Sequence, residues 1–179
     1  PIYIVKKNKI DGIVLYDSSA NTFVYNAISE NKFGFHLYRS HNNIISDNVV
    51  VENSLGGINL IASNENLLTY NKLLANTGSG IILDYSANDN TLTGNNITST
   101  DGFGLIVGSC SNNTLRNNIM TSNTYNFYCP ATRPNLSDFL NDIDTSNTVD
   151  GLQIQYFINE QGLVVEPSTF PNIGYLALV

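Results

Sequence analysis

The stretch that decides the fold runs from Gly57 to Asn76 and reads GINLIASNENLLTYNKLLAN. It contains a glycine, two aliphatic residues two positions apart, and three asparagines at five-residue intervals. Laid over the neighbouring sequence, this unit aligns five glycines separated by steps of 22, 23, 23 and 24 residues, namely Gly12, Gly34, Gly57, Gly80 and Gly104. A fixed period of this length is the signature of a repeat protein.

Each repeat carries three apolar sets, each compatible with a short strand. The first set follows the glycine with a spacing of two, which places its members on one face of a strand. It comprises Ile13 and Leu15, Phe35 and Leu37, Ile58 and Leu60, Ile81 and Leu83, Leu105 and Val107, and Phe127 and Cys129. The second set is Phe23, Ile45, Leu68, Leu92 and Leu115, and the third is Val5, Ile28, Val50, Leu73, Ile97, Met120 and Ile143. These segments are too short and too often interrupted for helices.

Three asparagine columns separate the predicted strands. They are Asn21, Asn43, Asn66, Asn90, Asn113 and Asn135; Asn26, Asn48, Asn71, Asn95 and Asn118; and Asn8, Asn31, Asn53, Asn76 and Asn123, with Thr100 as an exception. If each repeat makes one circuit of a three-sided coil, like residues stack on like about 4.8 Å apart. Asparagine tolerates left-handed backbone conformation, and stacked amides bond to one another. We therefore predict an all-β, right-handed parallel β-helix of about six coils.

Regularity ends after Asn123. Prolines at Pro130 and Pro134 would end or edge a strand, and the later asparagines shift to Asn141 and Asn147. We divide the chain into a β-helix at 1–147 and a hairpin-like extension at 148–179. Its strands are predicted at 152–158, 163–165 and 175–179, the last of which rejoins the β-helix.

Composition restricts the class of partner. The chain has 179 residues and a net charge of −7, with charged residues making up 13% of the sequence. No cluster of Lys and Arg offers a surface for nucleic acid or anionic lipid, and no apolar run is long enough to span a bilayer. We expect a soluble domain. Since the sequence starts at Pro1 without a signal peptide, we interpret it as a processed product or a segment of a longer protein.

The two cysteines, Cys110 and Cys129, have neither zinc spacing nor a disulfide pattern. Cys110 continues a column of small residues formed by Ser18, Ser40, Ser63 and Ser86, whereas Cys129 falls in an apolar column. Because these columns occupy different points of the cross-section, we expect two buried thiols rather than a disulfide.

The repeats resemble the parallel β-helix repeats of NosD-like proteins, and the block TSNTVDGLQIQYFINEQ followed by NIGYLALV resembles the insert between such repeats in archaeal cell-surface proteins. The resemblance covers essentially the whole chain and implies the fold. The wider class includes carbohydrate-binding surface proteins, polysaccharide lyases, glycoside hydrolases and uronan epimerases, so fold does not select an activity. The resemblance also implies an association with copper, for which one Met, two interior Cys and two His form no ligand cluster.

The outward positions of the first strand of each repeat form the candidate site. Aromatic rings beside amide, carboxylate and imidazole groups suit sugars, whose C–H faces pack on rings while their hydroxyls form hydrogen bonds. The candidate glycan contacts are Tyr16, His36, Tyr38, Arg39, Asn59, Asp84 and Tyr85. The alternative is a solvated flank on which the aromatic residues cover the sheet.

Catalysis is not predicted from these positions. A glycoside hydrolase needs two carboxylates at a defined separation, and Asp84 has no acidic neighbour in adjacent columns. Lyase or epimerase chemistry through His36, Tyr38 and Arg39 stays an alternative. No acidic loop has the density of a calcium site, so no metal or cofactor is predicted. Asn96, Asn112 and Asn135 lie in N-glycosylation sequons and are candidate acceptors.

The sequence therefore predicts an exported, extracellular or cell-surface β-helix module that is structural, glycan-associated and non-catalytic. Two alternatives are kept, a polysaccharide-active enzyme and a self-associating unit that stacks end to end. The expected partners are carbohydrate or cell-envelope components, and other copies or flanking domains at the open ends of the coil.

Overall fold

The computed structural model describes residues 3–130 and 135–179, which form a coil with three β-sheet walls. The first sheet contains β2 (Ile13–Tyr16), β5 (Phe33–Tyr38), β8 (Gly56–Ile61), β11 (Ser79–Asp84), β14 (Phe103–Val107) and β17 (Tyr125–Tyr128). The second contains β3 (Thr22–Val24), β6 (Ile44–Ser46), β9 (Leu67–Thr69), β12 (Thr91–Thr93), β15 (Thr114–Arg116) and β18 (Asp142–Ile143).

The third sheet contains β1 (Ile4–Lys6), β4 (Ala27–Ser29), β7 (Val49–Val51), β10 (Lys72–Leu74), β13 (Asn96–Thr98), β16 (Ile119–Thr121), β19 (Thr148–Val149), β20 (Leu152–Phe157) and β21 (Ile173–Leu178). Among the described residues the one helix is a 3₁₀ turn at Leu136–Phe139. The predicted parallel β-helix is confirmed, and no helix in the described ranges is long and apolar enough to cross a membrane.

The core consists of the predicted apolar columns in register. Ile58 pairs with Phe35 on one side and Ile81 on the other, and Leu73 pairs with Val50 and Ile97. These side chains are 0–1% exposed. Burying aliphatic side chains this completely contributes roughly 1.5–3 kcal/mol for each residue, so the stacked columns provide the main stabilisation of the coil.

The three asparagine ladders form, but their backbone differs from the prediction. In the central ladder, Oδ1 of Asn71 accepts both the backbone and the side-chain N–H of Asn48, each at 3.1 Å. The left-handed conformation lies one residue earlier, as at Tyr70 with φ 54° and Asp47 with φ 56°. The residue before the ladder asparagine thus adopts the left-handed conformation of the turn. The asparagine side chain forms hydrogen bonds with backbone groups of the neighbouring turns.

Three assignments in the irregular coils were wrong. The first ladder continues from Asn113 to Asn141 rather than to Asn135, because Asn113 donates to Oδ1 of Asn141 at 3.0 Å. Ile143 pairs with Leu115 and so belongs to the second set. In the serine column the buried position is occupied by Ala87 and not by Ser86, which is exposed. The prediction for Pro134 lies outside the described residues.

At the C-terminal end, β20 runs antiparallel to β19 after a tight turn, and β21 then pairs in parallel with β20. The predicted strand at 163–165 does not form. Tyr175 packs edge-on against Phe127 at 4.8 Å between ring centroids, and the Tyr156 hydroxyl donates to the carbonyl oxygen of Phe139 at 2.5 Å. These contacts place β20 and β21 over the last coil, where they cover the apolar interior.

Candidate functional site

The candidate site begins with two tyrosines stacked on the outer face of the first sheet. Tyr16 ends β2 and Tyr38 ends β5, and the parallel register places them directly opposite each other. Their ring centroids are 5.2 Å apart and their planes differ by 15°. Tyr16 is 62% exposed. The stack therefore forms an accessible aromatic platform. Both residues lie on the flank that was predicted for them from the sequence.

Arg39 closes the edge of this platform. It adopts the left-handed conformation immediately after β5, and its guanidinium carbon lies 5.1 and 5.0 Å from the ring centroids of Tyr16 and Tyr38. Nη2 donates to the Tyr16 hydroxyl and to Oδ2 of Asp17, each at 2.8 Å. The hydrogen bond to Asp17 raises the pKa of Arg39. The cation is thus fixed in place while its Nε and Nη1 edges make no further hydrogen bond within the described residues.

A depression of about 610 Å³ lies beside the platform. Its lining residues are Asp17, Ser19, Arg39, His41 and Ala62. Nδ1 of His41 accepts the Asn64 backbone N–H at 3.1 Å, which leaves Nε2 as the protonated nitrogen. The depression therefore offers hydrogen-bond donors and acceptors beside the aromatic platform.

His36 lies on the outer face of the first sheet and is only partly accessible, with 28% of its side chain exposed. Its Nδ1 lies 2.8 Å from Oδ2 of Asp11, and its ring is 5.1 Å from that of Phe33. Nε2 is buried and has no hydrogen-bond partner among residues 3–130 and 135–179. Asp11 was not singled out in the sequence, although alignment of the outward columns places it beside Phe33, whose N–H it accepts.

The other predicted contacts lie away from the platform. Asn59 pairs with His36 but is only 6% exposed, so it forms part of the sheet surface between larger neighbours. Asp84 occupies the column of Tyr38 two strands further along, separated by Ile61. Tyr85 follows Asp84 and is 68% exposed. The structure thus brings Tyr16, Tyr38 and Arg39 together and does not bring the other candidates to them.

A second aromatic cluster on the same sheet was missed. The ring of Phe103 stacks on Tyr125 at 4.9 Å and on Tyr128 at 4.7 Å between centroids. These residues belong to β14 and β17, at the end of the sheet opposite the Tyr16–Tyr38 stack. Continuing the outward columns beyond Ile82 and Ile106 would have found Tyr128.

The sequon asparagines all lie at the surface. Asn96, Asn112 and Asn135 are exposed. Oδ1 of Asn96 accepts the Thr98 hydroxyl at 2.9 Å, and the side chain of Asn135 caps the 3₁₀ turn. Their use as glycosylation sites stays a prediction.

The two thiols are free. Cys110 is buried, and burial raises its pKa. Burial also raises the pKa of Cys129, which lies 3.7 Å from the Tyr156 hydroxyl. Both groups are therefore neutral near pH 7.

These features define a protein of the parallel β-helix class that presents two stacked tyrosines and an arginine on its outer face. The family model described as periplasmic copper-binding protein (NosD) matches residues 3–160. The chain belongs to this NosD family. No curated protein sequence matched significantly.

Similar solved structures are those of a periplasmic alginate epimerase, AlgG. The unmutated enzyme shares 19% identity at a TM-score of 0.55, over 99% of this chain and 36% of the epimerase. A single-substitution mutant gives 22% identity and a TM-score of 0.62 over 73% of this chain and 37% of the epimerase. At these identities the likeness shows the fold alone, and the chain spans little more than a third of the epimerase.

The residues present do not fit the copper of the family's description. Within the described ranges no group of three His, Cys, Asp or Glu side chains could hold a metal ion. Met120 is fully buried in the core, and Nδ1 of each histidine is occupied by Asp11 or Asn64. Copper favours converging imidazole or sulfur ligands, which this part of the chain does not provide.

Proposed function

We propose that this chain is a non-catalytic, carbohydrate-binding β-helix module of an exported protein. The observation that carries the proposal is the exposed Tyr16–Tyr38 stack with Arg39 fixed at its edge, beside a depression rich in polar groups. A pyranose ring packs its C–H face on such rings while its hydroxyls reach neighbouring donors and acceptors. The periplasmic description of the family and of the epimerase supports export.

The favoured ligand is a uronate-containing polysaccharide. Within the described residues Arg39 keeps free N–H groups at Nε and Nη1, each of which can donate a charge-assisted hydrogen bond to a carboxylate oxygen, since only its Nη2 is used by Tyr16 and Asp17. Because the similar solved structures are those of an alginate epimerase, alginate is the first uronate polymer to test. Neutral polysaccharides would use the tyrosines but not the guanidinium.

The test is a binding titration with alginate, polygalacturonate and neutral dextran. We expect Tyr38→Ala to weaken binding of the uronates about tenfold, as loss of one aromatic contact of roughly 1.5 kcal/mol predicts. Tyr25→Ala is the control, because Tyr25 is also an exposed tyrosine, at 62% against 36% for Tyr38, but lies in the turn between the second and third sheets. Equal affinity of Tyr38→Ala and the wild type would refute the proposed site.

The enzyme alternative is favoured by the pairing of His36 with Asp11, which orients the imidazole as in a general base. Against it, Nε2 is covered by protein, so the ring has no free nitrogen at the surface. Incubation with alginate followed by NMR of the uronate residues distinguishes the two. Epimerised or unsaturated product that disappears in His36→Ala would replace the binding function with an enzymatic one.

Self-association is favoured by the N-terminal end of the coil. A depression of about 520 Å³ there includes Tyr3, Val5, Ile13 and Phe23, all outside the fully buried core. In the described chain β1, β2 and β3 each pair on one side only. Sedimentation velocity over a range of concentrations tests whether this end binds a second copy.

A further inference from the structure

A separate pocket lies on the outer face of β20, beneath residues 169–172. Ile154 and Tyr156 point to the core side of β20, so the alternation of a strand places Gln153, Gln155 and Phe157 on its other face. Phe170 packs edge-on against Phe157 at 5.7 Å between ring centroids. The space between them is a half-open pocket of about 480 Å³, within the range of small-molecule sites.

Gln155 is the unusual member of this pocket. It is only 7% exposed, yet the one hydrogen bond of its carboxamide within the described chain runs from Nε2 to Oε1 of Gln153 at 3.5 Å. A carboxamide has two N–H donors and an oxygen that accepts twice. Among the described residues the one buried side-chain polar atom without a partner is Nε2 of His36, so the unpaired Oε1 of Gln155 is accessible. Most of the hydrogen-bonding capacity of Gln155 is therefore open to a molecule in the pocket.

The lining selects the chemistry of that molecule. It consists of Gly151, Leu152, Gln153, Gln155, Thr169, Phe170, Pro171 and Asn172. None of these carries a charge, and burying an ionic ligand without a counter-charge is unfavourable. A purely apolar ligand would leave Gln155 unsatisfied. A neutral ring with adjacent hydroxyls and an apolar C–H face matches both the three carboxamides and the Phe170 ring.

We propose that this pocket binds one neutral pyranose unit, with Gln155 hydrogen-bonding adjacent hydroxyls and Phe170 packing against the ring. Ligand binding replaces the long contact between Gln155 and Gln153 with shorter bonds. The site is independent of the uronate platform proposed above, because it lies on β20 beyond the last coil, whereas Tyr16 and Tyr38 belong to the first two strands of the first sheet.

The experiment is an NMR titration of the ¹⁵N-labelled chain with D-glucose, D-galactose, D-mannose and N-acetyl-D-glucosamine, and with D-glucuronate as the charged counterpart. We expect at least one neutral sugar to shift the amide signals of Gly151, Gln155 and Phe170 at millimolar concentration. Glucuronate should bind at least about tenfold more weakly, as an unpaired charge predicts. If none of the four neutral sugars shifts these signals, or glucuronate binds equally well, the proposal is wrong.

The variant Gln155→Leu separates binding from folding. Replacing an under-bonded buried carboxamide by an apolar group of similar shape should leave the melting temperature unchanged or higher, while sugar affinity falls at least about tenfold. A lower melting temperature, or unchanged affinity, would contradict the assigned role of Gln155. Asn172→Ala at an exposed position gives a second test that does not disturb the core; it should weaken binding, and Tyr38→Ala should not.

Discussion

At the scale of the residue, the glycine column shows that the short distance between neighbouring coils excludes a side chain at these positions. None of the five column glycines has a positive φ, so the requirement is not backbone conformation. A Cβ on Gly57 would lie 2.5 Å from the carbonyl oxygen of Gly80 and 2.5 Å from Cδ2 of Leu73. The glycine column therefore follows from the close approach of neighbouring coils and not from an unusual φ.

Gly57→Ala should therefore destabilise the protein by about 3 kcal/mol, because the added methyl meets backbone that cannot move independently of the next coil. The matched control is Gly162→Ala. A Cβ there meets nothing within 4 Å, but φ is +69°, so we expect a cost of about 1 kcal/mol from the left-handed backbone alone. Urea denaturation of both variants gives the comparison, and similar losses would argue against steric exclusion at Gly57.

Individual residues also show why the apolar columns could be predicted from the sequence and the candidate site could not. Interior positions meet an equivalent environment in every coil, so each requirement is repeated, as in Ile58, Ile81 and Leu105. Outward positions are not repeated. Pairing of His36 with Asp11 and the limited exposure of Asn59 depend on single neighbours and side-chain rotamers, which no period in the sequence encodes.

At the scale of the element, two of the asparagine ladders are continuous chains of hydrogen bonds. The third is interrupted at Thr100, because no hydrogen bond joins Asn76 to Thr100 within the described residues. Asn71 accepts from Asn48, donates to Oδ1 of Asn95 at 3.0 Å, and donates to the carbonyl oxygen of Ile45 at 2.8 Å. Each amide thus connects its own coil to those on either side, and its loss leaves buried partners unsatisfied.

We expect Asn71→Ala to lower the free energy of unfolding by about 2–4 kcal/mol, since several buried groups lose their partners at once. Asn96→Ala is the control, because Asn96 follows the ladder residue Asn95 but is exposed; its effect should stay within about 0.5 kcal/mol. Chemical denaturation followed by circular dichroism measures both. A cost for Asn71→Ala no greater than that of the control would mean that the ladder adds little to stability.

Beyond the repeat the prediction of elements was mixed. The strands predicted at 152–158 and 175–179 form as Leu152–Phe157 and Ile173–Leu178, whereas the strand predicted at 163–165 does not. Beyond Asn123 the segment that contains the 3₁₀ turn at Leu136–Phe139 lengthens the coil, so the spacing between Asn113 and Asn141 no longer matches the period. At 163–165 an apolar run suggested a strand, but Val164 is 64% exposed. Instead, Ile173–Leu178 pairs with β20. Which of these two apolar segments joins the sheet depends on tertiary contacts.

At the scale of the whole molecule, ionisable groups collect under the C-terminal strands. Burial raises the pKa of Cys110, Cys129, Tyr156 and Tyr175. A raised pKa means that the folded state holds these protons more tightly than the unfolded state. Their contribution to stability is complete below the usual thiol pKa of about 8.5 and is lost as pH rises above it.

The protein should therefore be stable near neutral pH and become progressively less stable above about pH 8.5, with Cys110 alone contributing on the order of 1 kcal/mol per pH unit. Urea midpoints under reducing conditions at about pH 7.5 and about pH 10 measure the change. The double variant Cys110→Ala, Cys129→Ala should show a shallower decline. An equal midpoint at both pH values in the wild type would contradict the burial argument.

The reversal of chain direction at β20 also limits how this molecule could polymerise. A stack of parallel coils is a template that further coils could extend without limit, as in a fibril. At one end of the described chain that template is interrupted, because β20 runs antiparallel to β19 and tyrosines from β20 and β21 cover the interior. Head-to-tail growth needs two complementary faces. With one of them replaced, a second copy could not continue the parallel register of the third sheet beyond β19 within the described residues.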